Sequence, residues 1–385
     1  MQRSSSWVLV ALLAVASCGD AEQSPSGPNT PNAQSGAKPK SGRRQKTRYY
    51  DEAKTKKAEA GLEVDGLRQG VWTEWYQSGE KQAEGEYKDG QKHGLWKLLW
   101  PDGTTKAEIQ FRLGAQHGHC ALFHESGRLF TEGEYVQGRM EGDWISHYPG
   151  GAKLDFGRYS AGLKTGKWTE WHENGQKLRE GEFVDGRESG PFTTWHANAT
   201  VQTEGVYKAG KFEGIWKGWY ENGLPAEEAA WRDGMRNGPA KAWHDNGQQS
   251  VAGDYADDLQ TGPWTTFFPN GNKQNEGAFE AGKPVGPWSY YHENGTLMSS
   301  GVFEDGKKTG VWKSYFDNGK LQSEGSFEND LQNGVWKLWT REGVLESEAT
   351  VRAGKAEGEC KFYSADGSLD PVRSGMYENG AKKKE

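Results

Sequence analysis

DGKKTGVWKSYFDNGKLQSEGSF, residues 305–327, decides the fold. It carries Gly310, Trp312, Tyr315, the pair Asn318-Gly319, the pair Glu324-Gly325 and Phe327. Working outward from it, a glycine recurs every 24 residues from Gly70 to Gly358, thirteen times, without an insertion or deletion. A fixed period of this length marks a stacked array in which each unit buries its apolar face only against its neighbours. Function then belongs to a long repeated surface.

Positions within the unit are counted from that glycine as zero. Position two is Trp in nine copies, among them Trp72, Trp216 and Trp336, and Phe192 fills it in another. Position five is also aromatic, as in Trp75, Trp171, Trp195, Trp219, Trp243 and Trp339. Each half of the unit is short, aromatic-rich and bounded by Gly-containing turns, which predicts two strands. Four or more glycines per unit would cost about 1 kcal/mol each inside a helix, and no apolar 3.6 period is present. The expected fold is therefore all-β: an elongated, twisted, single-layer antiparallel sheet of stacked 24-residue hairpins, about 26 strands in all. Positions two and five have opposite parity on one strand, so both faces carry rings. The glycine at position fifteen is expected to give a neighbouring ring a flat place to lie. Asn-Gly, as in Asn174-Gly175, is read as the turn signal.

The pattern Asp-Gly-x-x-x-Gly-x-Trp-x-x-Tyr-x-x-Asn-Gly-x-x-x-x-Glu-Gly-x-Phe resembles the bacterial variant of the MORN repeat, over residues 61–380. The resemblance implies an antiparallel sheet of hairpins, scaffold or binding roles, and no chemistry in the repeat itself. Some bacterial proteins with this repeat are labelled antitoxins. Copies depart from the pattern at Cys120, Ala199, Ala229, Ala240, Asp258, Asp330, Ala349 and Cys360.

At the N-terminus, Arg3 precedes an apolar stretch from Trp7 to Ala16, too short to span a bilayer, which reads as a signal peptide over residues 1–17. Val15-Ala16-Ser17-Cys18 resembles a lipobox, with Cys18 as the acylated residue. Residues 18–60 are polar and read as a disordered basic tether, with nine basic and two acidic residues between Lys38 and Lys57. The array occupies 61–380, and 381–385 is a charged tail. Net charge is −7, so the array carries the acidic excess, and nucleic acid is not expected as a partner. Cys120 and Cys360 share the Trp slot ten units apart, too far to pair, and read as small core residues.

His124, His172, His196, His244 and His292 stand at position six, which elsewhere holds Tyr76, Tyr148, Tyr220 and Phe268, so the slot is read as a ring slot and not a metal site. His117 and His119 with Cys120 give only a weak metal signal. No metal and no other cofactor is expected. There is no phosphate loop and no nucleophile elbow, so no catalytic residue is assigned and no enzymatic activity is expected. Equivalent Glu84, Glu132 and Glu180 read as solvent-facing. Two binding functions remain: a lipid-anchored cell-envelope scaffold for a protein partner, or recognition of cell-wall glycan by the aromatic rows. An antitoxin-like role comes third. The candidate surface is Trp75, Trp171, Trp195, Trp219, Trp243 and Trp339, and the only membrane contact expected is the lipid on Cys18, facing periplasm or cell surface.

Overall fold

The computed structural model describes residues 42–383. The expected signal peptide, Cys18 and the first part of the tether lie outside the described residues. From Arg43 onward the chain is one antiparallel sheet of 29 strands, β1 to β29, each paired with the next in sequence. The all-β single layer of hairpins is as the periodicity requires.

One unit shows how the sequence builds it. β3 (Leu67–Trp75) and β4 (Lys81–Lys88) are joined by a five-residue turn, and β4 reaches β5 (Gln91–Leu99) through Asp89-Gly90. That two-residue loop is the tight one: Asp89 and Gly90 both have positive φ, 52° and 80°, as a type I′ hairpin turn demands. The Asn-Gly turn works differently. Gly175 alone takes positive φ (85°), while the Asn174 side chain accepts from Gln176 N at 3.0 Å and donates to Ala197 O of the next unit at 2.7 Å. The Asn is thus a fixed strut between turns, its local Asx bond extended into a ladder.

The period-defining glycine makes a bulge. Between β4 and β5 the register passes from Glu84↔Lys97 to Glu86↔His93, so β5 carries two extra residues there, and Gly94 turns through φ 68°. All thirteen such glycines have positive φ, from 63° to 114°. A side chain at these positions would be strained.

The bulge positions the core. At position fifteen, ten glycines each lie beneath the position-two ring of the following unit, and a Cβ added to any of them would sit 2.0–2.4 Å from a ring carbon. Gly85 meets Trp96 in this way and Gly277 meets Trp288. Each of the nine position-two indoles also donates Nε1–H to the carbonyl of position sixteen, as Trp96 does to Glu86 O at 3.0 Å. Rings at position seventeen then stand edge-on between them: Trp72, Tyr87 and Trp96 are linked at 5.9 and 5.1 Å with interplanar angles of 76° and 87°. At position minus two, Arg68, Lys92, Lys164 and Lys308 lie over the indole of their own unit, Lys92 at 4.1 Å from Trp96. Trp72 and Trp96 are consequently fully buried in a one-layer sheet.

Three copies break the pattern, and each breaks it twice. Where position fifteen is Ile109, Ala229 or Ala349, the residue facing it is Cys120, Ala240 or Cys360. A side chain at fifteen excludes the ring, and a small residue replaces it. Cys120 and Cys360 are buried, as expected of core residues.

The tether reading is corrected from Arg43. β1 (Arg43–Tyr49) pairs with β2 (Lys57–Val64), so the ordered sheet starts well before residue 61. The basic run is ordered by ion pairing. Glu63, one period before Tyr87 and in the same slot, is buried and bound by Arg44 and Lys46, while Glu59 is bound by Arg48 and Arg68. Charge replaces a ring where the row has no further unit to stack on, which is how a terminal repeat is capped. At the other end Ala381–Lys382 is a short strand β29, paired with β28 (Gly375–Glu378), within the expected charged tail.

Hydrogen bonds from Lys46 and Arg44 hold the Glu63 carboxyl down at about 2, below its ordinary 4.5. A depressed folded value means that the stabilisation is complete above pH 4.5 and is lost as pH falls through about 2. The stability gap between wild type and Glu63→Gln in thermal melts should therefore be widest near neutrality and close towards pH 2. A gap independent of pH would contradict the ion-paired cap.

Candidate interaction surface

The two faces of the sheet have different tasks. Position two, with its buried row, uses one face. Position five points to the other, as the register shows: Trp72 opposes Gly85, Thr73 opposes Glu84, and Trp75 follows on the side of Thr73. Trp75, Trp171, Trp195, Trp219, Trp243 and Trp339 are all half-buried on this second face.

Their backbones are held firmly. In eight units a Tyr or His at position six donates to the carbonyl of position five in the next, among them Tyr148 Oη to Trp171 O at 2.8 Å, His172 Nε2 to Trp195 O at 2.9 Å, His196 Nε2 to Trp219 O at 2.8 Å, and Tyr220 Oη to Trp243 O at 2.7 Å, whereas Trp100, Phe268 and Phe316 fill the slot as rings without that bond. Because the acceptor is a carbonyl, each of these histidines carries its proton on Nε2. The alternation of His and Tyr in one slot is therefore explained by the donor they share at the tip of the ring. The ring slot was legible in the sequence, but the donor was not.

Equivalent tryptophans on successive units are separated by a whole hairpin, roughly 10 Å. The fold lines them up without gathering them into one pocket. Their surroundings differ along the row. Lys57, Lys153 and Lys177 place ammonium groups 5.6, 5.7 and 5.4 Å over the rings of Trp75, Trp171 and Trp195, whereas Trp219 and Trp243 are paired across the strands with Pro225 and Gln249. Beside the row runs a ladder of positions three and fourteen, with Lys97–Glu108 at 3.2 Å and Lys337–Glu348 at 3.1 Å. Of the glutamates expected to face solvent, Glu84 and Glu132 are 44% and 41% exposed, whereas Glu180 is largely covered, at 22%, between Lys167 and Lys177. Among the described residues no group of three metal-ligating side chains converges. His119 and Cys120 diverge, His119 lying 3.8 Å from Glu132 and Cys120 packing into the cluster of Trp144.

Comparison with known proteins bears on the repeat itself. The MORN repeat variant matches residues 68–89, 164–185, 260–281, 284–305 and 308–329, and the MORN repeat matches 84–105, 228–249 and 348–369. MORN repeats are thus detected over these eight segments. All eight matches fall on the 24-residue grid, in two phases of it. No curated protein matches the chain. Similar solved structures include the TcdB2-TccC3-Cdc42 complex, at 12% identity over 86% of this chain, and TcdB2-TccC3, at 11% identity over 86%. Both superpose with a TM-score of 0.16, and the chain spans about a fifth of their length (19% and 20%), so nothing is carried over from them.

The two rows should separate by experiment. Trp264 is buried on the interlocked face, so Trp264→Ala should destabilise its neighbourhood by about 3 to 5 kcal/mol, as large core truncations do. Trp219→Ala should cost clearly less than Trp264→Ala, because one side of its ring already faces solvent. Thermal melts of the two variants check this, and equal losses would mean that position five is core.

Proposed function

We propose that this protein is a non-catalytic scaffold whose second face binds a protein partner, and that it is held in a bacterial cell envelope by acylation of Cys18. The supporting observation is the division of labour between the faces. The position-two rings are consumed by the interlock, whereas the position-five rings are half exposed, rigidly held and repeated along the sheet. Rigid aromatic side chains bind at small entropic cost. MORN repeats, detected over eight segments of the chain, are commonly protein or membrane interaction motifs.

Glycan recognition is the weaker reading because lysines lie over Trp75, Trp171 and Trp195. A sugar would need those ring faces for stacking. Binding by the row is distributed, so loss of one ring weakens it by about 1 to 2 kcal/mol and does not abolish it. An antitoxin-like role would show as a toxin among the captured partners.

For location, Cys18→Ala should move the protein from washed membranes to the soluble fraction, and mass spectrometry should find acyl groups on the wild-type N-terminus. A photo-crosslinking residue at position 219 should trap a protein in intact envelopes. An unlipidated wild type would overturn the anchor. Trapping of peptidoglycan with no protein adduct would replace the protein partner with glycan.

A further inference from the structure

Three units lack the interlock of ring and glycine, and one of these breaks differs from the other two. At the first, Ile109 and Cys120 are buried, and Leu98 and Leu122, at position four of the two units, pack against them. At the third, Val351 and Cys360 are buried, and position four holds Leu338 and Phe362. At the middle break position four holds only Gly218 and Ala242, and Ala229 and Ala240 are no more than half-buried. The rings on either side, Trp216, Trp231 and Tyr255, are half-buried as well. Ring contacts run from Phe192 through Tyr207, Trp216 and Phe212 to Trp231, with centroids 5.1, 4.9, 4.3 and 4.8 Å apart, stop there, and resume between Tyr255 and Trp264 at 5.2 Å.

The backbone is continuous across the middle break. β16 (Pro225–Arg232) and β17 (Met235–Trp243) pair through Glu227↔Ala242, Glu228↔Lys241 and Ala229↔Ala240. What is missing is the side-chain filling of one face. A hydrogen-bonded ladder fixes register and strand spacing, whereas close-packed side chains are what resist bending about an axis parallel to the strands. Each unit is stiffened only by its neighbours, so a gap at one place is not made good from elsewhere in the array.

We propose that the middle break is a hinge, at which the array bends as two stiffer blocks, residues 43–229 and 240–383. Bending towards the interlocked face closes the gap over Ala229 and Ala240. The same movement is blocked by the ring in intact units and by Leu98 and Leu122 at the first break. On the opposite face Trp219 and Trp243 stand at position five of the two units that meet here, so the hinge lies behind the middle of the candidate row. Closing the gap spreads these two rings, and the second face thereby changes curvature without breaking the ladder. The hinge itself is independent of what that face binds.

The test is pulsed electron paramagnetic resonance on the full chain carrying Cys18→Ala, with spin labels on introduced cysteines, since Cys120 and Cys360 are buried. Ala209→Cys with Ala281→Cys sets two labels three units apart across the hinge. Asp89→Cys with Ala161→Cys sets them three units apart across the first break, on equivalent exposed turns, at roughly 29 Å in each case. The hinge pair should give a distance distribution about twice as wide or more. Adding Ala229→Gly and Ala240→Trp, which restore the interlock, should narrow it to the width of the other pair. Equal widths overturn the hinge, as does a wide distribution that the restored ring leaves unchanged. A second readout needs no substitution at the break: in hydrogen exchange the amides of β16 and β17 should exchange about tenfold faster or more than those of β6 (Thr105–Arg112) and β7 (Ala115–Phe123), which flank the filled break. Equal protection of the two strand pairs would likewise overturn the hinge.

Discussion

Contact between a flat ring and a bare backbone is the constraint on which this fold rests. A single-layer sheet has no second layer to bury its side chains, so any core must lie within the thickness of its own face. The indole solves this by lying down. It can do so only where the strand before it has no Cβ, because the ring carbons come closer than any side chain would tolerate. Laid flat, the indole also reaches the carbonyl that the glycine bulge leaves to it, so one residue supplies burial and a hydrogen bond together. Tyr and Phe rings at position seventeen then fill the space between indoles and transmit contact from unit to unit. Tyr255 through Trp336 forms an unbroken edge-to-face chain in this way.

From that contact the division of function follows. One face is committed to the interlock, and its cations are drawn over the rings. The other carries no such demand, and its composition is free to vary from charged to apolar along the array. The first hairpin obeys the same logic from outside the period: with no earlier ring to pack against, Glu63 takes the slot and basic residues of β1 hold it. Exceptions inside the array are paired for the same reason, since Ile109 and Cys120 change together.

Much of this was legible in the sequence, because a strict period multiplies each weak signal thirteen times. The hairpin, the two aromatic faces and the role of the position-fifteen glycine all follow from spacing and parity. Two things did not follow. Asn-Gly looks like the tight turn, but the two-residue loop is at Asp89-Gly90, where even Leu113 and Ala161 accept positive φ in equivalent loops because the hairpin closes around them. The run from Arg43 to Lys57 has the composition of a solvated tether, and only its pairing with Glu59 and Glu63 across strands makes it structure. The row of Trp219 was visible as a candidate surface, whereas the change on the same face from the pairs Asp143–Arg158 and Lys167–Glu182 to Ile215–Ala230 and Pro287–Val302 was not. It emerges only when the register shows which residues share a face.

The interlock is tested most directly where nature has removed it. At the Ala229–Ala240 pair, Ala240→Trp alone should destabilise the array, because the Ala229 methyl occupies the space beneath the ring, and Ala229→Gly alone should be mildly destabilising. The double variant restores the motif found at Gly253 and Trp264, and should be more stable than either single change by a coupling of a few kcal/mol, read from denaturant unfolding as a double-mutant cycle. Additive effects of the two substitutions would contradict the claim that ring and glycine act as one unit.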